Sequence, residues 1–385
     1  MIETEELPPL SVVGRLGRLR ARFDPAEGDD APIEALLVTT PANIRWLTGF
    51  SGSAGVLMVT AGSAVLTTDG RYRTQSAEQL RASGVGEEVA IVVGGVKAQR
   101  EALADAARSI ARVGLEADDV TWAAQRSWAE IFTSAELSAT RGMIEGLRVV
   151  KDADEILRME RAAAIADRAL AEVLPMLAAV GSGGDGDGPL TESRFAAALD
   201  HAMRVGGAED SAFETIVASG ENSAKPHARP GHRQIRPGDP VVVDFGAIFD
   251  GYRSDMTRTF SVGGEPTGEL ARVFSVVAES QRAGVAAVHP GIETGAVDLT
   301  CRQVIDEAGW GERFEHGTGH GVGLDIHEAP SVGQGSTAIL SPGAVITVEP
   351  GVYLPDTGGV RIEDTLVVTE DGSRSLTQFP KEVPV

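Results

Sequence analysis

Residues 236–246 read RPGDPVVVDFG, and residues 341–351 read SPGAVITVEPG. Each stretch runs Pro-Gly, then an apolar strand-like segment, then a carboxylate seven positions after the proline: Asp244 in the first and Glu349 in the second. A turn and a second strand-like segment follow each, YRSDMTRTFSV at 252–262 and VRIEDTLVVT at 360–369, and each brings another acid, Asp255 and Glu363. The chain therefore contains a diverged duplication of a hairpin that carries two acids.

Asp250-Gly251 is a strong two-residue hairpin signal, because both positions of the favoured turn need a positive φ. That turn sets Phe249 opposite Tyr252 and Asp244 opposite Thr257. Asp255 becomes the diagonal, same-face neighbour of Asp244, about 7–8 Å away at Cα. Asp244 closes the run Val241-Val242-Val243, a buried-looking strand, where an unpaired ionised group is strongly disfavoured. For either hairpin alone, pairing with Arg253, Arg258 or Arg361 would account for the acids. Two related hairpins facing one another instead present four carboxylates to one cavity, a crowd that stays ionised only around divalent cations.

Between the copies lies HGTGHGVGLDIHE, residues 316–328, which holds three of the chain's seven histidines: His316, His320 and His327. Glycines allow close backbone approach, and imidazoles serve as ligands or proton handlers. HExxH spacing is absent, since His327-Glu328 is followed by Ala329-Pro330-Ser331, so a single-zinc helix site is not supported.

A length of 385 residues suggests two domains. Apolar runs at 34–40, 55–60, 64–69, 88–93 and 112–116, with helix-like segments near 71–83 and 96–111, predict a small α/β domain. The boundary is placed near Lys151, giving domains 1–150 and 151–385. Beyond it, Ile156, Met159, Ala163, Leu170, Val173, Leu174 and Leu177 stand near helical spacing. Further helices are expected at 192–205, with Thr191 as N-cap, at 269–288 and at 294–308. GSGGDGDGP at 181–189 lacks the later ligands of a calcium loop and reads as a surface loop.

The net charge of −22 repels phosphate backbones and anionic lipid, which argues against nucleic-acid and membrane partners. The lone Cys301 sits in a helical pattern and reads as a small core residue, consistent with a reducing compartment. An acidic start without an apolar h-region, and no run of about 20 apolar residues, point to a cytoplasmic location.

From Lys151 onward these residues resemble the pita-bread metallopeptidases, the family of methionine aminopeptidase, aminopeptidase P and prolidase. The resemblance implies five metal ligands, Asp244, Asp255, His320, Glu349 and Glu363, with Asp255 and Glu363 bridging two divalent ions. An oxygen-rich set with one imidazole suits manganese, with cobalt, zinc or iron as alternatives. The resemblance further implies catalytic roles for His227 (in SGENSAKPHARP, 219–230), His327 and Glu349, a substrate-pocket role for His316, and a ligand-orienting role for Arg361. PANIRWLTGFSGSAGV at 41–56 resembles the creatinase-like N-terminal domain of aminopeptidase P and prolidase, which implies substrates with proline at the second position and a homodimer or higher oligomer. Prolidases of the short archaeal type commonly place an Arg after the His-Glu-x-Pro segment to meet the substrate's free carboxylate. Ser331 stands there in this chain, so Xaa-Pro aminopeptidase is the first expectation and Xaa-Pro dipeptidase the alternative, with Arg229 and Arg233 as substitute cations. A catalytically inactive peptide-binding relative is the reading from a different class, and the intact ligand set argues against it.

Overall fold

The computed structural model describes residues 7–24, 32–183, 188–381 and 384–385. The first six residues, and the centre of the 181–189 loop at 184–187, lie outside the described residues. The chain divides into two compact units, Met1–Arg148 and Val149–Val385.

The first unit is built on strands β1 (Ala35–Val38), β2 (Gly55–Thr60), β3 (Ala64–Thr68), β4 (Val89–Val93), β5 (Arg112–Glu116) and β6 (Glu136–Thr140), in the order β4-β3-β2-β1-β5-β6. β1–β2 and β2–β3 are antiparallel. β3–β4, β1–β5 and β5–β6 are parallel. Its helices are α1 (Arg15–Arg20), α2 (Pro41–Thr48), α3 (Arg73–Ala82), α4 (Val96–Ala106), α5 (Trp122–Ile131) and α6 (Glu145–Arg148). The parallel pairs require crossovers, and α3 and α5 supply two of them. The strand expected over 34–40 stops at Val38, because Thr40 is the extended N-cap of α2 and Pro41 enters at the helix start, where its missing N–H costs nothing. Sequence patterning had no reading for α5 and β6. Thr121 caps α5 by accepting from the Ala124 amide, and Trp128 stacks on Phe132, which helps to close the core of this unit.

In the second unit, α7 (Ala153–Val173) starts at a capping box formed by Asp152 and Glu155. The amphipathic pattern continues into α8 (Pro175–Gly181), with the break at Pro175, which cannot donate to the ladder. α9 (Glu192–Val205) is capped by Thr191 as the sequence predicts. α7, α8 and α9 pack on β7 (Ile216–Ser219), β8 (Pro240–Phe245) and, past the short ribbon β9 (Ile248–Phe249) and β10 (Tyr252–Arg253), on β11 (Met256–Ser261). The second half repeats the plan. α10 (Gly268–Ala287) and α11 (Thr294–Glu307) pack on a sheet that includes β12 (Gly319–Gly321), β13 (Glu328–Val332), β14 (Val345–Val348), β17 (Asp364–Val368) and β18 (Ser373–Ser375), with β15 (Gly351–Leu354) paired to β16 (Gly358–Arg361).

Hairpin register follows the turn chemistry. Asp250 and Gly251 both have positive φ, 44° and 72°. Phe249 pairs with Tyr252 and Asp244 with Thr257, as the two-residue turn requires. In the second copy, Val348 pairs with Asp364 and Gly351 with Arg361, so one register runs through a gap in the ladder at Glu349 and Glu363.

Candidate active site

The nine residues to which the sequence assigns ligand, catalytic, pocket or ligand-orienting roles line one cavity of about 530 Å³: His227, Asp244, Asp255, His316, His320, His327, Glu349, Arg361 and Glu363. That size lies within the range of small-molecule sites. Asp244 comes from β8, Glu349 and Glu363 from the gap in the second hairpin, and Asp255 from the residue before β11.

His320 owes its place to its neighbours. A Cβ on Gly319 would sit 2.1 Å from the Thr347 carbonyl, and one on Gly321 would sit 2.2 Å from the Ala329 carbonyl, so only glycine fits on either side. The β12–β13 register shifts between His320 and Gly321, and such irregularities re-aim side chains. The His320 Nδ1–H donates to the Gly321 carbonyl at 3.0 Å. Its Nε2 lies 3.5 Å from Asp255 Oδ2 and 3.4 Å from Glu349 Oε1. Burial lowers the His320 pKa to about 4. The ring is therefore neutral at pH 7, with its unprotonated Nε2 close to two carboxyl groups, an arrangement that a cation held between them satisfies.

The acids carry the same message. Burial first, then Glu363, Asp244 and Glu349, push Asp255 well above the usual carboxylate range. Burial and the charges of Glu349 and Asp244 do the same to Glu363, while burial raises Glu349 to about 8. Two buried acceptor oxygens, Asp244 Oδ1 and Glu363 Oε1, have no hydrogen-bond partner. Ligand atoms of Asp255, His320 and Glu363 all lie within 4.8 Å of one another. Crowded hard oxygens, two orphaned acceptors and one imidazole lone pair fit divalent cations.

Of the three arginines near the acids in sequence, Arg361 reaches one of their carboxylates, that of Asp244. Its guanidinium donates to Asp244 Oδ2 at 2.6 Å, to Tyr353 Oη at 2.8 Å, to Thr257 Oγ1 at 3.1 Å and to the Pro226 carbonyl at 3.2 Å. Burial alone would lower its pKa, but Tyr353, Asp244 and Glu349 together raise it, so the charge is held firmly. Thr257 Oγ1 in turn donates to Glu363 Oε2 at 2.7 Å, and Thr347 Oγ1 donates to Glu349 Oε1 at 3.2 Å. Tyr353, whose phenol burial raises to about 12, donates to His316 Nε2 at 2.8 Å. His316 Nδ1–H meets the Gly317 carbonyl, and burial lowers this ring to about 4, so His316 is neutral too. His327 stands edge-on to His320, with ring centroids 4.3 Å apart.

Sequence reasoning missed Tyr353, Thr257 and Thr347, which hold the acids and His316, and also the anchor beneath the histidine loop. Asp298 on α11 is buried and accepts from the Thr318 amide and hydroxyl, and Arg302 donates to the Phe314 and His316 carbonyls. The i,i+4 spacing of Asp298 and Arg302 was the available signal, though such spacing usually marks a solvated pair. Arg233 is a correction: it is paired with Asp239 at 2.6 Å and does not line the cavity. Arg229 does line it, in an exposed pair with Glu214 at 3.2 Å, and so does Ser331.

Residues 157–370 match metallopeptidase family M24, and residues 15–150 match the creatinase/prolidase N-terminal domain. The Xaa-Pro dipeptidase of Pyrococcus furiosus is 34% identical over 356 residues, covering 92% of this chain and 96% of its own length. Among solved structures, the Xaa-Pro dipeptidase from Bacillus anthracis is 36% identical with a TM-score of 0.88, covering 97% of this chain and 99% of that one. An X-Pro aminopeptidase from Thermotoga maritima is 33% identical with a TM-score of 0.82, covering 92% and 97%.

Proposed function

This chain belongs to metallopeptidase family M24, with a creatinase-like domain ahead of a pita-bread catalytic domain, and from that premise we propose that it is an Xaa-Pro dipeptidase. Asp244, Asp255, His320, Glu349 and Glu363 would hold two divalent ions, with manganese the first choice from the donor set. Ions held there would supply an activated water and Lewis acidity toward the scissile carbonyl.

The chain's own groups do the rest. Glu349, held at Oε1 by Thr347, takes a proton from the attacking water and delivers it to the leaving proline nitrogen. His327 donates to the developing oxyanion. His316, fixed as the Nδ1–H tautomer between Tyr353 and Gly317, and His227, on the loop that Arg361 grips through the Pro226 carbonyl, hold the substrate. A proline nitrogen carries no N–H in the peptide, so recognition rests on this pocket.

One observation carries the dipeptidase reading over the aminopeptidase expected from Ser331. Arg229 is a cavity-wall cation whose only described ion pair, with Glu214, is solvent-exposed. An exposed pair is worth only about 0–1 kcal/mol, so a substrate carboxylate exchanges into it readily. The named dipeptidase relatives support the same choice. The second reading, Xaa-Pro aminopeptidase, is favoured by Ser331, which offers no charge where short archaeal prolidases commonly have Arg, and by the Thermotoga relative. Comparing kcat/KM for Xaa-Pro and Xaa-Pro-Yaa peptides decides between them. The dipeptidase reading expects a preference for dipeptides that Arg229→Ala erases through KM. Equal or better cleavage of longer peptides, unaffected by that change, makes the enzyme an aminopeptidase.

A further inference from the structure

Behind β11, which carries Thr257, and beside the ladder gap at Glu363 lies a buried cluster of charge outside the cavity. Arg258, 1% exposed, donates to the Thr257 carbonyl at 2.9 Å and to the Glu363 carbonyl, and so bridges the two halves of the duplication directly behind side chains that face the cavity. It also donates to Asp364 Oδ1 at 2.9 Å and to the Phe379 and Pro380 carbonyls at 2.6–3.1 Å. Asp364 accepts further from Thr377 Oγ1 and Gln281 Nε2, each at 3.0 Å, and from Lys381 Nζ. The carboxylate is buried, which pushes its pKa up, yet Arg258 and Lys381 together hold it below the ordinary value. Asp167 of α7 clasps the segment that brings Lys381 in, accepting from the Gln378 and Phe379 amides at 2.9 and 3.1 Å.

We propose that Arg258, Asp364 and Lys381 are positioning residues that set the separation of the two acid-bearing hairpins, with the 376–381 segment as the element that closes the device. The inference rests on the cavity acids being metal ligands. One guanidinium divides its donors between Asp364 and four backbone carbonyls, two of them at the Thr257–Glu363 junction and two in the 376–381 segment. Lys381 satisfies part of Asp364, which leaves Arg258 free to grip the carbonyls of Thr257 and Glu363. Without Lys381, Asp364 draws Arg258 to itself, and the Thr257–Glu363 junction loosens.

The test uses full-length protein carrying Lys381→Met or Lys381→Arg. Manganese affinity is measured by calorimetric titration of chelator-stripped protein, alongside kcat and KM on an Xaa-Pro dipeptide. Lys381 is partly exposed, so the methionine variant keeps the fold, as circular dichroism at the assay temperature will show. Lys381→Met should weaken manganese binding about tenfold, the scale on which groups that orient ligands act, and lower kcat with KM within about twofold. Lys381→Arg should restore both. A through-space effect has the opposite sign, because removing a positive charge favours cation binding. Wild-type affinity in Lys381→Met, or tighter binding, overturns the positioning role. A wild-type protein that binds no divalent ion overturns the metal reading itself, and one that binds manganese but cleaves no Xaa-Pro peptide overturns only the substrate reading.

Discussion

Asp255→Asn should make the metal-free protein more stable while removing its response to divalent cations. In the chelated protein a buried Asp255 oxygen lies within 4.8 Å of a Glu363 oxygen, with Asp244 and Glu349 adding to the repulsion. Two like charges at that distance repel by about 3 kcal/mol at an effective dielectric of about 20. Asparagine keeps the shape and removes the charge, so a gain approaching that figure, roughly 6–10 °C in Tm, is expected where the wild-type acids are ionised. The sign depends on pH. The folded pKa values are raised, with Glu349 at about 8, so the folded metal-free chain holds protons that the unfolded chain releases. Wild-type stability therefore falls as pH rises from the ordinary carboxylate range, about 4, through pH 8. The advantage of the variant should be small at pH 5 and larger at pH 9, as the raised acids lose their protons. Thermal unfolding followed by circular dichroism, in EDTA at both pH values and then with manganese, reads this directly. Manganese should raise the wild-type Tm and leave the variant nearly unmoved. A variant less stable than wild type in EDTA at pH 9, or one stabilised by manganese as strongly as wild type, refutes the account.

His327→Ala should lower kcat by about 10²–10³-fold with bound metal unchanged, since its partner in the cavity is the His320 ring rather than a carboxylate; metal analysis of the purified variant checks this, and parallel loss of metal would make His327 a ligand. Lys151→Met should destabilise the fold by about 1–5 kcal/mol in denaturant unfolding, because it removes one member of a pair 2.6 Å apart with side chains only 1% and 6% exposed and leaves the buried Glu328 with one cation fewer. A loss under about 1 kcal/mol would mean that Glu328 is neutral or re-paired.

The hairpin logic was legible because turn chemistry and strand period act locally: Asp250-Gly251 alone set the pairing of Asp244 with Thr257. The duplication made the second pair of acids legible as well. Tyr353 was not, because its approach to His316 and Arg361 depends on how the second hairpin folds back, which no local pattern encodes. Asp298 and Arg302 look like a solvated helical pair and instead anchor the histidine loop, because α11 turns them toward residues 314–318. Arg233 shows the reverse error: nearness in sequence to His227 suggested a substrate cation, yet Asp239 lies closer in space. α5 carries a helical period comparable to that of α9 and so was open to reading, whereas β6 was not, since its ELSAT run has no apolar stretch and its side chains stay half-buried or exposed.

The gap in the second hairpin has a consequence for the order of assembly. The amides of Glu349 and Glu363 leave their own ladder and donate elsewhere, Glu349 to the Thr318 carbonyl at 2.8 Å and Glu363 to the Thr257 carbonyl at 3.1 Å, in the other half of the duplication. Each hairpin can close alone and shield its ladder amides, but the Glu363 amide gains an acceptor only once the halves have docked. In pulse-labelled hydrogen exchange during refolding, that single amide should acquire protection after its neighbours in β17, so the halves meet at a time that one backbone proton reports.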